Sequence, residues 1–237
     1  MIPKKIHYCW FGRGEMPELV KSCIASWHEY MPEWEFKLWN EDNFDVNSIP
    51  YTQEAYEAKK YAFVSDYVRL YALVNEGGLY MDVDFEVFKP FDNLLGYKAF
   101  AGFEGSKRCP VMMGVLASEK DGYWVSEQIK CYYGRHFLLT DGSYDMTSNV
   151  GYFTDKMVAE GFVCDGKEKD FNGLHIFPVD YFCPRQTTGE YFKTENTYCD
   201  HKGLNSWAGN TKKPLLLRIS GPRLSILLIK LKRKLLG

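Results

Sequence analysis

The sequence lacks several patterns that define common classes of protein. Its seven cysteines never form a C-x-x-C pair, and their odd number and scatter argue against a zinc site or a disulfide framework and favour a reducing compartment. It contains no G-x-G-x-x-G or Walker loop, no internal repeat and no low-complexity segment. A net charge of -2 gives no overall attraction for nucleic acid. Any ligand must therefore be recognised by a local site.

The composition is that of a globular domain. With 237 residues, 46% of them hydrophobic and 16% aromatic, the chain can bury a substantial core. Strand-like and helix-like stretches alternate along it, which predicts an α/β fold. We expect one domain over residues 1–221, followed by a basic amphipathic helix over residues 222–237.

Residues 63–86 are the stretch around which we expect the domain to be organised. Its apolar residues recur at helical spacing, which predicts a mostly buried helix. Gly77-Gly78 should end this helix, because glycine adopts left-handed backbone conformations without a Cβ penalty. Leu79 to Met81 then predicts a central strand with Asp82 and Asp84 at its carboxyl end, where open α/β sheets bind ligands.

Asp82 and Asp84 predict a metal site. In an extended segment the two side chains point to the same side, so their carboxylates converge on one small volume. Two like charges at such a distance are unfavourable unless a cation lies between them, and oxygen ligands favour Mg²⁺ or Mn²⁺. The alternative is a turn after a strand with two solvated acids.

Asp66 and Arg69 lie on one face of the predicted helix at i, i+3 spacing. A surface ion pair would explain them in an ordinary amphipathic helix. This helix is too apolar for that explanation, and a buried pair usually belongs to a network or a site. We therefore expect the two residues to contribute to function.

Trp10 lies near the end of the first predicted strand, which covers residues 6–11. A tryptophan is often a core residue, but the end of a first strand is where a nucleotide base would lie. Asn40 and Asn43 follow the second predicted strand, and the sequence leaves open whether they bind a ligand or shape the loop.

Three segments resemble glycosyltransferase family 32. They are SDYVRLYALVNEGGLYMDVD with the following Lys89-Pro90, the opening IPKKIHYCWFG, and the late HKGLNSW. That family includes fungal Golgi mannosyltransferases and bacterial capsule and lipopolysaccharide enzymes, and it is distantly similar to clostridial glucosylating toxins. The resemblance implies a GT-A type, Rossmann-like nucleotide-sugar-binding fold with a mixed central sheet.

The resemblance also implies a further metal ligand, which lies far from the paired acids in the sequence. His201 falls where the family brings a third metal or diphosphate ligand to the paired acids. We therefore expect Asp82, Asp84 and His201 to hold Mn²⁺ or Mg²⁺, with Asp84 the most direct contact and Asp82 reaching the metal or the ribose. A lone histidine is otherwise most often a surface or core residue.

The other implied contacts concern the donor. The tryptophan that matches Trp10 stacks on the base, and Ser206 and Trp207 fall beside the phosphates. Asp66 and Arg69 would hold sugar hydroxyls, with Arg69 also bearing on the phosphates. Asp66, Arg69 and Asp84 are the residues that we expect to carry catalysis.

These expectations describe a metal-dependent, retaining glycosyltransferase that moves a hexose or N-acetylhexosamine to a hydroxyl of a glycan or lipid-linked acceptor. UDP-sugars are favoured over GDP-sugars. The resemblance implies front-face attack with the leaving phosphate as base. Two alternatives remain: a sugar-nucleotide nucleotidyltransferase, for which Gly12-Arg13-Gly14 is a faint version of the basic loop, and a non-catalytic nucleotide-sugar-binding protein.

The expected location follows from both ends of the chain. No signal peptide or Golgi-type anchor precedes the first strand, which favours a bacterial cytosolic enzyme of surface polysaccharide synthesis. Residues 223–237 combine a leucine stripe with Lys230, Lys232, Arg233 and Lys234. That pattern favours a helix lying on anionic lipid at the inner face of the plasma membrane. A terminal helix packed on the protein's own core is the alternative.

Overall fold

The computed structural model describes residues 1–105, 109–184 and 191–203. Helices and strands alternate through most of this part of the chain. The helices are α1 (Glu18–Tyr30), α2 (Pro50–Glu57), α3 (Tyr61–Glu76), α4 (Tyr123–Ile129), α5 (Asn149–Ala159) and α6 (Val179–Phe182). The strands are β1 (Lys5–Cys9), β2 (Glu35–Trp39), β3 (Gly78–Met81), β4 (Phe85–Val87), β5 (Ala99–Gly102), β6 (Val115–Ser118), β7 (Lys169–Phe171), β8 (Leu174–Phe177) and β9 (Cys199–His201).

Seven strands form a central mixed sheet in the order β2-β1-β3-β6-β5-β8-β7. Strand β1 pairs in parallel with β2 and β3, whereas β6 pairs antiparallel with both β3 and β5. Strand β8 is parallel to β5, and β7 closes the edge antiparallel to β8. The α/β class and the mixed central sheet expected from the sequence are confirmed.

Hydrophobic cores lie on both faces of this sheet. One contains the buried residues of α2, α3, α4 and α5, with Phe63, Val68 and Phe153 among its members. The other packs α1 and β4 against the opposite face, centred on residues such as Trp27 and Phe100. Helices on both faces cover a sheet whose strands β3, β5, β6 and β8 are buried at every position.

Helix α3 and strand β3 form the expected central unit. The helix ends where the N–H of Gly77 donates to the carbonyl of Leu73 at 2.9 Å. Gly77 and Gly78 have φ values of 66° and 118°, in the region that favours glycine. A Cβ on Gly78 would come within 2.6 Å of the Lys5 carbonyl, so the glycine also lets β3 lie against β1.

After β3 the chain leaves the central sheet. Residues 82–85 form a turn in which the N–H of Phe85 donates to the carbonyl of Asp82 at 3.2 Å. Strand β4 then pairs antiparallel with β9 in a separate two-stranded sheet. The indole N–H of Trp27 donates to the carbonyl of Phe85 at 2.7 Å and holds β4 over α1.

Strand β6 is preceded by residues that are not regularly paired. Val111 forms only an isolated bridge with Phe103, and regular pairing starts at Val115. Between them the carbonyl of Met113 accepts a hydrogen bond from the guanidinium of Arg69, and the carbonyl of Gly114 accepts one from the backbone N–H of Asp82. None of the helices in the described ranges is both long enough and apolar enough to cross a bilayer.

Candidate active site

Asp66 and Arg69 form a buried ion pair on α3. A guanidinium nitrogen of Arg69 lies 2.8 Å from Oδ1 of Asp66. Both residues are almost inaccessible to solvent, at 9% and 5% exposure. The helix delivers them together because residues three apart share a face, and its apolar neighbours seal the pair from water. The expectation of a buried rather than a superficial pair is confirmed.

Arg69 also ties the helix to two other elements. Its Nη1 donates to the carbonyl of Met113 at 2.6 Å, and its Nη2 lies 3.4 Å from Oδ1 of Asp82. The guanidinium stands 4.6 Å above the ring of Tyr80, whose hydroxyl donates to Asp82 at 2.7 Å. One cation therefore holds two carboxylates in fixed positions.

Burial is the largest single influence on the pKa values of Asp66 and Arg69. Burial raises the pKa of Asp66 to about 7, although the charge of Arg69 acts to lower it. For Arg69, burial acts to lower the pKa, but the charges of Asp82, Tyr80 and Asp66 outweigh it and raise the pKa. Arg69 therefore stays charged, and Asp66 can change protonation near neutral pH.

Asp84 and His201 meet although they are far apart in the sequence. The ladder between β4 and β9 places His201 opposite Phe85, and their rings stack with centroids 4.6 Å apart. Nε2 of His201 lies 3.1 Å from Oδ2 of Asp84. Burial acts to lower the pKa of His201, but hydrogen bonds with Asp84 and Cys183 outweigh it and raise the pKa to about 11.

The geometry corrects one expectation about the acidic pair. Asp82 and Asp84 do not project from one extended segment, because the chain turns between them to enter the second sheet. Asp82 consequently faces Tyr80 and Arg69, whereas Asp84 faces His201. His201 itself belongs to strand β9, which pairs with β4.

Asp84 and His201 suit a divalent ion that also takes ligands from a substrate. Neighbouring ligands of an octahedral Mg²⁺ lie about 3 Å apart, close to the 3.1 Å between these two atoms. Within the described ranges, no three His, Cys, Asp or Glu side chains form a group that could hold a metal by themselves. Mg²⁺ commonly binds through one or two protein ligands plus substrate phosphates and water, so two protein ligands fit this chemistry.

Trp10 lies directly after β1, at the same edge of the sheet. Its backbone N–H donates to the carbonyl of Trp39, and its indole N–H donates to the carbonyl of Gly14 at 2.6 Å. The residue is only partly buried, so it is not a core tryptophan. A partly exposed ring in this position can accept a planar ligand.

Polar groups of the loop after Trp10 form hydrogen bonds and an ion pair with the loop after β2. The N–H of Gly12 donates to the Glu41 carboxylate at 2.6 Å, and the guanidinium of Arg13 pairs with Asp42 at 2.7 Å. A nucleotidyltransferase would need these groups for phosphates. Their engagement disfavours that alternative.

Asn40 and Asn43 shape the loop after β2. Oδ1 of Asn40 accepts from the N–H of Asp42 at 2.8 Å. The side chain of Asn43 accepts from the N–H of Asn40 and donates to the carbonyl of Leu38. These contacts indicate that both side chains shape the loop rather than bind a ligand.

Sequence reasoning missed two residues beside the acidic cluster. Tyr80 was expected only as part of a strand, although strand alternation places it on the same side as Asp82. Asn149 begins α5, and its backbone N–H acts to lower the pKa of Asp66. Its buried side-chain nitrogen has no hydrogen-bond partner in the described part of the chain. No periodicity or spacing connects Asn149 with Asp66.

Ser206, Trp207 and the predicted helix over residues 222–237 lie outside the described residues. Their expected roles beside the phosphates and on a membrane stay predictions.

The protein therefore has an α/β fold with a candidate site at the carboxyl end of the central strand β3. In this site Arg69 contacts the carboxylates of Asp66 and Asp82. Residues 17–101 match the family described as "Glycosyltransferase sugar-binding region containing DXD motif". These residues carry α3, β3 and both acids of the D-x-D sequence. Over these residues the chain therefore matches the sugar-binding region of this glycosyltransferase family, and the resemblance predicted from the sequence is confirmed.

Several curated proteins are similar over this region. Inositol phosphoceramide mannosyltransferase 3 of Schizosaccharomyces pombe is 33% identical over 107 residues, which cover 42% of this chain and 29% of that protein. Subversion of eukaryotic traffic protein A of Legionella pneumophila is 28% identical over 130 residues, which cover 40% of this chain and 20% of that protein. The chain spans less than a third of the length of either relative.

Two solved structures are similar at low sequence identity. The PaToxG glycosyltransferase has a TM-score of 0.49 and 19% identity, over 68% of this chain and 70% of that one. A glycosyltransferase involved in glycosylation of the major capsid of PBCV-1 has a TM-score of 0.45 and 12% identity, over 84% of this chain and 93% of that one.

Proposed function

We propose that the protein is a GT-A type glycosyltransferase that uses a divalent ion and a nucleotide-diphosphate sugar. The observation that carries this proposal is the convergence of Asp66, Arg69 and Asp82 with the Asp84–His201 pair at the end of β3. The first four of these residues belong to the matched sugar-binding region. His201 is brought to them by the pairing of β4 with β9.

Asp84 and His201 would hold Mn²⁺ or Mg²⁺ through a carboxylate oxygen and an imidazole nitrogen, which would have to release its proton to bind the ion. When bound, such an ion stabilises the negative charge that builds on the departing diphosphate. The turn at residues 82–85 leaves Asp82 beside Arg69, where it can accept a hydrogen bond from a ribose or sugar hydroxyl. Ser206 and Trp207 would add contacts to the phosphates, as the family resemblance implies.

Asp66 and Arg69 would orient the transferred sugar. The carboxylate accepts hydrogen bonds from sugar hydroxyls, while Arg69 holds the acid in place and keeps a positive charge near the phosphates. Asn149 supports this assignment, since its unpartnered amide nitrogen is a donor next to Asp66. An unpaired buried donor costs about 1–3 kcal/mol, which a sugar oxygen would recover.

Trp10 would stack on the base, and we favour uridine. The transferred sugar would be a hexose or N-acetylhexosamine, with retention of configuration as the resemblance implies. Three curated relatives are named as mannosyltransferases of inositol phosphoceramide, which makes mannose and a lipid-linked acceptor candidates here. We place the reaction in bacterial surface polysaccharide synthesis, at the inner face of the plasma membrane.

The test is metal-dependent release of nucleotide from a panel of UDP- and GDP-sugars by the full chain, without acceptor. We expect release with at least one sugar in Mn²⁺ or Mg²⁺ and none in EDTA. Asp84→Asn should lower the rate by at least about a hundredfold, because loss of one well-placed charge stabiliser has that effect. Asp141→Asn, an exposed acid at a loop tip, is the matched control.

Two results would contradict the proposal. Turnover that survives both Asp84→Asn and EDTA would exclude the metal site. A folded protein that binds UDP tightly but releases nothing from any sugar would favour the non-catalytic alternative.

A further inference from the structure

His7 is a fully buried histidine in the middle of β1, away from the acidic cluster described above. Its Nδ1 lies 3.0 Å from the indole nitrogen of Trp39, the last residue of β2. Its Nε2 lies 2.8 Å from the carbonyl oxygen of Gly77, which directly precedes β3. The imidazole therefore connects β1 with both of the strands that flank it in the sheet.

The two partners fix the protonation state of His7. An indole N–H can only donate, so Nδ1 must be the acceptor of the bond from Trp39. The proton then lies on Nε2, which donates to the carbonyl of Gly77. A second proton on Nδ1 would face the indole N–H. Burial is the largest influence on the pKa of His7 and lowers it, so the fold keeps the neutral imidazole that both hydrogen bonds require.

Trp39 links this buried contact to Trp10, the residue that would stack on the base. Its carbonyl accepts from the backbone N–H of Trp10 at 3.0 Å, one step beyond the last registered pair of the two strands, Cys9 with Trp39. The Trp39 ring is itself buried, and it packs edge-on against Tyr71 of α3 with centroids 5.8 Å apart. A fixed indole therefore holds the backbone at the point where Trp10 leaves the sheet.

The orientation of the Trp10 ring also depends on the loops that follow β1 and β2. Its indole N–H donates to the carbonyl of Gly14, and the N–H of Gly12 donates to Glu41 at 2.6 Å. Glu41 comes two residues after Trp39. A shift at the end of β2 would therefore move both the backbone of Trp10 and the loop that orients its ring.

The two hydrogen bonds of His7 lead to opposite edges of the sheet. Strands β1, β2 and β3 are parallel, so their carboxyl ends lie at one edge. Trp39 is at the carboxyl end of β2, the edge that carries Trp10 and the candidate active site. Gly77 is at the other edge, before β3 begins. A purely structural histidine would need both bonds equally, whereas only the bond with Trp39 leads toward the nucleotide.

We infer that His7 is a positioning residue for the nucleotide. By accepting the hydrogen bond from Trp39, it fixes the end of β2 and thereby the Trp10 ring. The bond with Gly77 joins β1 to the turn between α3 and β3 and contributes to stability alone. This inference rests on the proposed function, because it assumes that Trp10 stacks on the base.

The experiment separates the two hydrogen bonds. In His7→Asn the amide oxygen can replace Nδ1 and accept from Trp39, while the bond with Gly77 is lost. In His7→Gln the longer amide can replace Nε2 and donate to Gly77, while the bond from Trp39 is lost. UDP affinity in Mn²⁺ is measured by calorimetry on the full chain, together with Tm. His175→Gln is the control, since His175 lies on β8, is 9% exposed and has partners at both ring nitrogens.

Both variants of His7 should lower Tm by about 2–12 °C, because each leaves one buried polar group unpaired. UDP affinity should fall at least about fivefold in His7→Gln, the lower end of the loss expected when the Trp10 ring is removed. It should change less than about twofold in His7→Asn and in the control.

A second measurement tests whether His7 acts through Trp10. Added to Trp10→Ala, His7→Gln should weaken UDP binding by less than a further factor of about two, because the ring that it positions is already gone. A merely structural histidine would lower the affinity by the same factor with or without the Trp10 ring. If His7→Gln does not fold, Trp39→Phe removes the same hydrogen bond from the other side and must give the fivefold loss.

The outcomes separate this inference from the proposed function. Equal UDP affinity in the two folded variants of His7, or an undiminished loss when His7→Gln is added to Trp10→Ala, would overturn the inference. Wild-type affinity in Trp10→Ala would overturn it as well. If the wild type neither binds UDP nor consumes any sugar, the proposed function fails and this inference with it. If Trp10→Ala weakens UDP binding but His7→Gln and Trp39→Phe do not, only the inference fails.

Discussion

Replacement of Arg69 by methionine should be among the most destabilising substitutions in the described part of the chain. The side chain pairs with Asp66, approaches Asp82 and donates to the carbonyl of Met113, all in a buried environment. Methionine fills a similar volume but leaves the carboxylate and the carbonyl without this partner. Breaking a buried ion pair from one side costs about 3–5 kcal/mol.

That cost is measurable by thermal or denaturant unfolding of the full chain. In a domain of this size, 1 kcal/mol shifts Tm by about 2–4 °C, so Arg69→Met should lower Tm by about 6–20 °C at pH 7. Arg13→Met is the control, because Arg13 forms an exposed pair with Asp42 and such pairs contribute at most about 1 kcal/mol.

The destabilisation by Arg69→Met should also depend on pH and on Asp66. Without the guanidinium the pKa of Asp66 rises further, so the cost should be larger at pH 8.5 than at pH 6. Arg69→Met combined with Asp66→Asn should cost less than the sum of the two single changes, by at least about 1 kcal/mol. A loss of less than about 1 kcal/mol in Arg69→Met, or strict additivity in the double variant, would refute this account of the pair.

Three further predictions concern separate parts of the chain. First, the pKa of Asp66 is raised to about 7 in the folded protein. Protonated Asp66 therefore stabilises the folded protein fully below about pH 4, and this stabilisation is lost as the pH rises through 7. Asp66→Asn should remove this pH-dependent decline in the free energy of unfolding, which denaturant titrations between pH 4 and 8 would detect. Second, Trp10→Ala should weaken UDP binding by about 5- to 160-fold, since stacking on a base contributes about 1–3 kcal/mol; unchanged affinity in a folded variant would exclude stacking. Third, truncation after Gly221 should abolish co-sedimentation with anionic vesicles and leave nucleotide-sugar hydrolysis nearly unchanged, because basic residues bind such surfaces with about 1 kcal/mol each. Unfolding of the truncated protein would instead make the last residues part of its core.

The sequence by itself determined the elements whose signals are local. The apolar spacing in residues 63–76, the two glycines after it and the short apolar run at 79–81 predict a helix, a stop and a central strand, and all three are present. The pairing of Asp66 with Arg69 is local as well, because three residues along a helix bring side chains to the same face.

Only the tertiary structure decided how the acids are used. A D-x-D in an extended strand would point both carboxylates one way, but β4 leaves the central sheet to pair with β9, and the resulting turn separates them. The partner of Asp84 lies 117 residues away, and the carbonyl that fixes Arg69 lies 44 residues away.

The ends of β3 and β5 lie at the same edge of the sheet because both strands pair antiparallel with β6. Such contacts depend on which strands become neighbours and in which direction they run. Periodicity within one segment carries no information about that choice, since a strand has the same alternation whichever partner it meets.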